Sequence, residues 1–536
     1  MAHSIALSSV LLLAALPIFA GSQLRVAGIP LKVPGNTLVL HVSETVHAPV
    51  PGDGDFTGVD PRETPESVYH LVREAAAAWS GTGRAGLTIR VERTSEWRVS
   101  ESERNLVTFT DPEPFDTGLC NKALYIACTL VYHEDETHTI PMVKIAFNPY
   151  LKHSSLGLAG AHDLGVVLLH EVGHAVGLDH SGALDSIMSP VVELQMGGGS
   201  GAVRRLSSDD VATIAAAYPL PEQEAAPAVL AGVVRKDGAP VAKAHVMALG
   251  REGRLAAAGL TDAEGRYALQ VEAGEFRLAV EPLDGPVQGG QAWTEQPSPE
   301  PFPSLWWTAG GGARQGGEVV ALGEGESRQG LDFALPATAV TNVETVGLVG
   351  EGGMYRGAAR LTLARGREYP FALTRTPPEG AARVRFTLES IEMPALARVP
   401  ASAPQLVQQR IRIPADAPLG AYAVAYESED ALAFLPGALQ VVNNPRALSV
   451  EWLHDGWFRL VGEDLAGSEV VRRDKFRPTQ LGGVSVRVGS RFAELYKVAP
   501  EEIVARWPDE LRETGAAVSV VAGAGVSSEP LSLIAP

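Results

Sequence analysis

Cysteine is scarce in this chain, which has only two cysteines in 536 residues. So few thiols exclude a disulfide-dense scaffold, an iron–sulfur protein and a zinc module built on four thiolates. Basic residues are also in the minority, because 44 Lys+Arg face 63 Asp+Glu and leave a formal charge of −19. That sign disfavours broad contact with phosphates, so the sequence predicts no nucleic-acid partner.

Long apolar runs are confined to the N-terminus. Residues 5–20 are apolar, are interrupted by Pro17 and are followed by small residues, a pattern typical of a secretory signal peptide over residues 1–22. A retained anchor is the alternative, although the run is short for a spanning helix. No later stretch is long and apolar enough to cross a bilayer. We therefore expect a secreted or periplasmic protein with no membrane span after signal removal.

Export would place both cysteines in an oxidising compartment. Cys120 and Cys128 lie eight positions apart, which favours a local disulfide that pins a surface excursion of the chain. Two buried free thiols that pack as small hydrophobic groups are the alternative.

The chain is long enough for several domains, and its 45% hydrophobic and 20% charged residues are typical of globular proteins. Up to residue 218 the pattern is α+β, with strands at 38–42, 87–91 and 143–147 and helices at 64–79, 162–176 and 207–217. A linker rich in Pro and Glu follows. Short Val/Leu/Tyr/Phe runs between Gly, Asp, Asn and Pro turns then continue to the end. The predicted fold is multidomain: an α+β catalytic domain at 24–218, a linker at 219–227, and three β-sandwich domains at 228–336, 338–443 and 444–536.

Histidine is unevenly distributed, since four of the 13 lie within residues 162–180 and only two lie beyond. On a helix, His170 and His174 lie one turn apart on the same face, so both rings can reach one metal ion. Gly177 can end that helix in a left-handed conformation and allow His180 to approach from another direction. Three neutral histidines leave a fourth position for water, which is the arrangement of a catalytic zinc site. Glu171 is then placed beside the metal without binding it.

This H-E-x-x-H-x-x-G-x-x-H pattern, followed by Met188 in a Ser-Ile-Met-Ser-Pro segment, resembles the metzincin metalloproteases. Ser181 after the third histidine is similar to the matrixin branch, as are Asp163 before the helix and the segment 206–211. The resemblance implies that His170, His174 and His180 bind zinc, that Glu171 is the general base, and that Met188 forms the apolar floor beneath the metal.

The same resemblance implies a substrate site and has limits. Residues 143–147 would be the edge strand that pairs with an extended substrate, and an interior strand is the alternative. No segment of the thiol-switch type precedes the catalytic domain, so a thiol switch is not expected. His133, Asp135 and His138 offer only a fragment of a second zinc site, and a solvated polar loop is the alternative interpretation. Calcium ligands cannot be assigned from the sequence.

The tail resembles modules of exported proteins. Residues 229–278 are similar to carboxypeptidase regulatory-like, transthyretin-like sandwiches, and residues 413–441 to Ig-like modules of exported bacterial proteins. Trp306 and Trp307 could form a carbohydrate platform, but packing within the sandwich is the preferred interpretation. Such modules imply binding to a cell surface, a carbohydrate or a protein, and the fold alone does not decide which.

Taken together, these features predict a secreted zinc-dependent endopeptidase that cleaves protein or peptide substrates. The alternative is an exported adhesion or scaffold protein whose metalloprotease-like domain is vestigial. Intact His170, Glu171, His174 and His180 favour the enzyme.

Overall fold

The structure is a computed structural model that describes residues 22–47, 58–156, 158, 160–191, 204–220, 227–283, 301–337, 343–349, 355–375, 382–391, 406–428, 431–472, 478–511, 516–523 and 526–533. The signal peptide predicted at 1–22 lies almost entirely outside these residues. Within the described part the chain is mostly β-sheet, with few helices. No helix there is both long and apolar enough to span a bilayer.

Up to residue 220, the described residues form ten strands and four α-helices. The helices are α1 (Pro65–Ser80), α2 (Glu113–Asp116), α3 (Leu164–Ala175) and α4 (Ser208–Ala217). The strands are β1 (Arg25–Val26), β2 (Ile29–Pro30), β3 (Thr37–Ser43), β4 (Gly58–Val59), β5 (Thr88–Thr94), β6 (Leu106–Thr108), β7 (Ala127–Glu134), β8 (Thr139–Phe147), β9 (Lys152–Ser154) and β10 (His162–Asp163).

A five-stranded sheet with the order β5-β3-β6-β8-β7 forms the centre of this part. Its strands are parallel except β7, which runs antiparallel to β8 and forms one edge. Buried side chains of the sheet share one core with α1 and α3. Trp79 on α1 is fully buried, and its Nε1 donates to the Leu169 carbonyl of α3 at 2.8 Å. This contact fixes α1 against α3, the helix that carries the metal-binding motif.

Of the two alternatives for residues 143–147, the interior strand is confirmed and the edge strand is wrong, because β8 lies between β6 and β7. Lys144 on this strand is buried, and its Nζ donates to the carbonyls of Ser102 and Arg104, both at 2.6 Å. The ammonium group of Lys144 is therefore hydrogen-bonded inside the protein, and residues 143–147 of β8 are buried on both faces of the sheet.

The second part of the chain forms two five-stranded sheets, one around β11 and the other with the order β14-β13-β16-β17 plus β18 on β16. Its strands are β11 (Ala228–Lys236), β12 (Ala239–Pro240), β13 (His245–Gly250), β14 (Leu255–Leu260), β15 (Arg266–Val271), β16 (Gly274–Glu281), β17 (Leu305–Trp306), β18 (Val319–Leu322), β19 (Ser327–Arg328) and β20 (Phe333–Leu335). Apolar residues of both sheets share one buried cluster.

Two four-stranded sheets follow, with the orders β22-β21-β24-β26 and β23-β28-β27-β25. Their strands are β21 (Val343–Val349), β22 (Tyr355–Ala358), β23 (Leu361–Ala364), β24 (Glu368–Arg375), β25 (Ala382–Phe386), β26 (Leu406–Arg412), β27 (Gly420–Ser428) and β28 (Leu432–Val442). Their buried residues also form a common cluster, and Leu184 from the first part of the chain belongs to it.

The last part again has two sheets, β29-β30-β35-β34-β31 and β33-β32-β36-β37 with β38 on β36. The strands are β29 (Arg446–Trp452), β30 (Trp457–Glu463), β31 (Val470–Val471), β32 (Ser485–Val488), β33 (Arg491–Phe492), β34 (Glu494–Val498), β35 (Glu502–Arg506), β36 (Ala516–Gly523), β37 (Val526–Ser527) and β38 (Leu531–Leu533). A separate buried cluster, which includes Trp507 and Phe458, holds them together.

Candidate metal centre

Helix α3 positions the first two histidines. It starts after Asp163, whose Oδ1 accepts from the Val166 N–H at 3.0 Å and caps the helix. Sequence analysis predicted a start at residue 162, but residues 162 and 163 instead form the short strand β10. The helix ends where predicted, because Gly177 adopts φ 89°. A Cβ at Gly177 would lie 2.6 Å from the Leu31 carbonyl oxygen, so the turn requires glycine.

The three histidines of the motif meet in space. Their candidate ligand atoms all lie within 4.8 Å of one another. The ring centroids of His170 and His174 are 4.7 Å apart, and His180 lies 5.3 Å and 4.9 Å from them. Within the described part of the chain, this is the one group of three or more His, Cys, Asp or Glu side chains that could hold a metal ion.

Hydrogen bonds orient two of the rings for metal binding. His170 Nδ1 pairs with the Ile187 carbonyl at 2.7 Å, and His174 Nδ1 pairs with the Leu178 carbonyl at 2.8 Å. Because a carbonyl only accepts, each Nδ1 carries the proton and each Nε2 keeps a free lone pair. This is the usual way in which a zinc-binding histidine is fixed by a second partner.

Burial favours the neutral form of His170 and His174, the form that binds a metal ion. Burial lowers the pKa of His170, and the Ile187 hydrogen bond opposes this only in part. Burial, together with repulsion from the other two rings, holds the pKa of His174 well below its ordinary value. The donor set, the tautomers and the protonation state therefore all fit a zinc ion.

Glu171 lies beside the histidines in a buried position. Burial raises the pKa of its carboxyl group to about 7, while a hydrogen bond from Thr129 and the nearby His180 oppose that rise. Thr129 Oγ1 donates to Glu171 Oε2 at 2.5 Å and also lies 3.2 Å from the Glu171 carbonyl oxygen. A carboxyl group with a pKa near neutrality is suited to accept and return a proton.

Sequence analysis did not single out Thr129. It is on β7, the edge strand, 42 residues before Glu171. A single threonine within a strand is no signal for such a contact, because β-branched residues are common in strands for packing reasons. The structure thus adds a residue that orients Glu171 from the edge of the sheet.

Replacing Thr129 by valine should lower kcat about 10- to 100-fold, because the isosteric side chain cannot make a hydrogen bond worth about 1.5–3 kcal/mol to the Glu171 carboxylate. Steady-state peptide hydrolysis with zinc content measured in parallel is the check. Thr129→Ser keeps the hydroxyl and should retain most of the activity. Equal kcat values for the valine and serine variants would contradict a role for this hydroxyl.

Met188 follows the third histidine at the end of a buried loop. It is 2% exposed, and a Cβ added at Gly173 would lie 2.3 Å from Met188 Sδ and 2.9 Å from the Trp79 ring. The methionine therefore packs directly against the helix between His170 and His174. Asp210 at the start of α4 fixes this region, since its carboxylate accepts from Ser186 Oγ at 2.5 Å and from the Ile187 N–H at 2.9 Å.

The two cysteines are joined. Cys120 and Cys128 form a disulfide with a Cα–Cα distance of 6.1 Å. Because Cys128 is on β7 directly before Thr129, the bridge anchors the segment after α2 to the edge strand that contacts Glu171.

Other residues considered in the sequence do not form a site of this kind. His133 Nε2 lies 3.1 Å from Asp135 Oδ1, and both side chains are exposed. Neither they nor His138 belong to a group of three metal-binding side chains among the described residues. Trp306 packs edge-on against Phe434 with ring centroids 4.8 Å apart, and Trp307 packs against a buried cluster. Both tryptophans are partly buried packing residues: Trp307 packs against the core of its own β-rich part as expected, whereas Trp306 packs against Phe434 of the following part.

This geometry defines a three-histidine metal centre with an adjacent buried carboxyl group, the class of site found in catalytic zinc proteins. Residues 66–219 match the family model described as Peptidase_M10, Matrixin. This match supports a matrixin-like catalytic domain in that part of the chain, as the resemblance implied. That domain supports a metalloprotease. No curated protein matches the chain.

Solved structures resemble the chain only distantly. Domains 5–6 of the S-layer protein SbsC share 13% identity over 36% of this chain and 98% of their own, with a TM-score of 0.14. The Bacteroides ovatus glucan-utilization protein SGBP-B, in complex with a mixed-linkage heptasaccharide, shares 12% sequence identity over 59% of this chain and 69% of its own, with a TM-score of 0.17. The titin domains z1z2 in complex with telethonin share 10% sequence identity over 37% of this chain and 98% of their own, with a TM-score of 0.13. Similarities of this size carry no argument about function.

Proposed function

We propose that this protein is a secreted zinc-dependent endopeptidase. The observation that carries the proposal is the convergence of His170, His174 and His180, with ligand atoms within 4.8 Å, beside the buried carboxyl group of Glu171. The match of residues 66–219 to the matrixin family supports the same reaction class. The polypeptide or peptide substrate, the single catalytic zinc and the secretion of the protein are parts of this proposal.

The residues divide the chemistry between them. A zinc ion held by the three histidines would lower the pKa of a bound water and polarise the scissile carbonyl group. Glu171 would accept a proton from the attacking water as general base and return it to the leaving amine as general acid. Thr129 holds the Glu171 carboxylate in one orientation during both transfers. Met188 supplies an apolar surface against the helix that carries two of the ligands.

We further propose that an extended substrate pairs with β7. This strand forms one edge of the central sheet, and its residue Thr129 contacts Glu171. A substrate strand added at that edge would pass beside the general base. The three β-rich parts of the tail are proposed to be sandwich modules, with a cell surface, a carbohydrate or another protein as the partner that their resemblance implies.

Cleavage of casein by the purified full-length chain tests the proposal. We expect hydrolysis that stops when a chelator removes the metal and returns when zinc is added back, because three histidines alone supply no nucleophile. Stoichiometric zinc binding without any cleavage would contradict the endopeptidase and favour an exported adhesion or scaffold protein with a vestigial metal site.

A further inference from the structure

The loop of residues 181–189 connects the third histidine to the segment that contains Met188, and it is buried rather than exposed. Ala183 is fully buried and Leu184 is 4% exposed. The Ser181 N–H donates to the Met188 carbonyl at 2.9 Å, which closes the loop on itself. Loops usually run over the surface and are mobile. Ile187 and Met188 are buried in the core of the first part of the chain, whereas Ala183 and Leu184 are buried against residues of the β-rich tail.

The first β-rich segment, residues 227–337, contacts the loop through His245. A Cβ added at Gly182 would lie 2.8–2.9 Å from three atoms of the His245 ring. His245 and Glu281 are both buried, and their side chains pair at 2.8 Å. The ring is therefore held in place and cannot move aside easily for a larger residue at Gly182.

The same segment also reaches the loop through Asp209 on α4. Asp209 Oδ1 accepts from the Ala258 N–H of β14, an edge strand, at 2.6 Å, and Asp209 Oδ2 accepts from Ser181 Oγ at 2.7 Å. A buried carboxylate thus links the tail to the residue that directly follows His180. Buried polar groups that are fully paired fix a unique arrangement.

The second segment, residues 343–442, holds the middle of the loop. The Leu184 N–H donates to the Pro436 carbonyl at 2.8 Å, and the Leu184 side chain belongs to the buried core of this segment. Gly437 approaches so closely that an added Cβ would lie 2.2 Å from Asp185 Oδ1 and 2.6 Å from Asp185 N. Ala183 lies in a buried cluster that also contains Met247 and Phe434, one from each segment.

The position of His180 depends on this loop more than the positions of the other ligands do. The backbones of His170 and His174 belong to α3, whereas His180 follows the helix end and immediately precedes the loop. The loop also orients the His170 ring, whose Nδ1 pairs with the Ile187 carbonyl. A metal site needs its ligands held to within fractions of an ångström, and partners outside the ligand set change metal affinity about 10- to 100-fold. Contacts between domains are usually polar and permit relative motion, but this contact buries apolar side chains.

We infer that the two β-rich segments form an intramolecular clamp on the 181–189 loop, so that metal affinity and catalytic activity depend on the tail. The clamp positions His180 and Met188 for the metal site of the proposed endopeptidase, on which this inference rests. Its contact points are Gly182 against His245, Ser181 through Asp209 to Ala258, and Asp185 against Gly437.

Glycine substitutions in the full-length chain test the clamp with matched controls. Gly437→Ala places a methyl group against Asp185 of the loop, and Gly182→Ala places one against the His245 ring of the tail. Gly437 has φ 71°, so the control is Gly238→Ala, which has φ 82° and open space around it. Gly182 has no such backbone constraint, so its control is Gly250→Ala, whose nearest neighbour would lie at 3.8 Å.

We expect Gly437→Ala and Gly182→Ala to weaken zinc binding about 10- to 100-fold, the size of effect seen when partners outside the ligand set are lost. Competition with a chromophoric chelator measures the affinity, and the visible spectrum of the cobalt(II)-substituted protein reports the geometry of the ligands. Both controls should keep wild-type affinity and spectrum. Folded Gly437→Ala and Gly182→Ala proteins with wild-type affinity and spectrum would overturn the clamp.

Hydrogen exchange of the wild-type protein provides a second test that requires no variant. If the clamp holds, the amides of Ser181 and Leu184 should exchange as slowly as those of β28, because they are bonded within the same buried unit. Exchange at the rate of a surface loop would contradict the inference. Neither test measures the peptidase activity of the protein itself. A protein that binds zinc but cleaves nothing would therefore refute the proposed function and leave the clamp testable.

Discussion

Replacing Glu171 by alanine is expected to lower kcat for peptide hydrolysis about 100- to 10,000-fold, the usual contribution of a general acid–base residue. Zinc should remain bound at one ion per chain, because the three histidines supply the ligands without the carboxylate. Initial rates on a fluorogenic peptide and metal analysis of the same preparation measure both quantities.

Glu101→Ala is the matched control for this variant. Glu101 is an exposed glutamate in the same part of the chain, outside β7 and without a place in the metal centre, and its carboxylate lies 3.0 Å from Arg98 at the surface. It should retain wild-type kcat. If Glu171→Ala loses its zinc, the carboxylate is a ligand or a structural residue and its assignment as general base is wrong. Retained kcat in that variant would contradict the assignment directly.

His174→Ala should weaken zinc binding by more than about 100-fold, because losing a ligand costs more than losing an outer partner. Catalysis should disappear with the metal. The loss of zinc affinity should be large because the variant lacks a ring that is already oriented for the metal. The Leu178 carbonyl fixes the His174 ring, and burial keeps the pKa of His174 low, so the neutral form that binds metal is favoured. Equilibrium competition against a chelator at fixed pH gives the affinity.

His133→Ala is the control for the histidine variant. Its side chain is exposed, and it belongs to no three-residue metal group in the described residues. Zinc stoichiometry and affinity should be unchanged by its removal. Wild-type zinc affinity in His174→Ala would show that the metal, if bound, is held elsewhere.

The sequence was informative where structure is determined locally. The turn at Gly177 and the spacing of His170 and His174 lie within one helix and its end, so a residue pattern was enough to predict them. The helix start was predicted at residue 162, whereas the helix begins at Leu164 after its Asp163 cap. The proximity of His180 followed from the same turn. These features explain why the metal centre could be predicted without a structure.

Features that depend on distant parts of the chain could not be predicted. Residues 143–147 do not form an edge of the sheet, because β7 pairs antiparallel with β8 and forms that edge instead. Lys144 on β8 is buried, and its ammonium group donates to backbone carbonyls. The hydroxyl of Thr129 meets Glu171 across 42 positions of sequence. Periodicity describes which face of a strand is apolar, but it does not identify the neighbouring strand.

The tail shows the same limit on a larger scale. Turn residues and short apolar runs are local features of the sequence, and they were enough to predict that the tail is rich in β-strands. Nothing local indicates that Leu184 packs in a core more than 150 residues away, or that Asp209 accepts a hydrogen bond from Ala258. The tail therefore contacts the loop beside the metal centre, and no sequence pattern predicts these contacts.

Cleavage profiling with a proteome-derived peptide library tests the central claim most directly. Wild-type protein with zinc, the same protein after chelation, and Glu171→Ala should be compared by mass spectrometry of the new N-termini, with bound zinc measured in each sample. We predict a defined set of cleavages from the zinc-loaded wild type, and none from the chelated protein or from zinc-loaded Glu171→Ala. An identical cleavage pattern in all three samples, or no cleavage by the zinc-loaded wild type, would contradict the account.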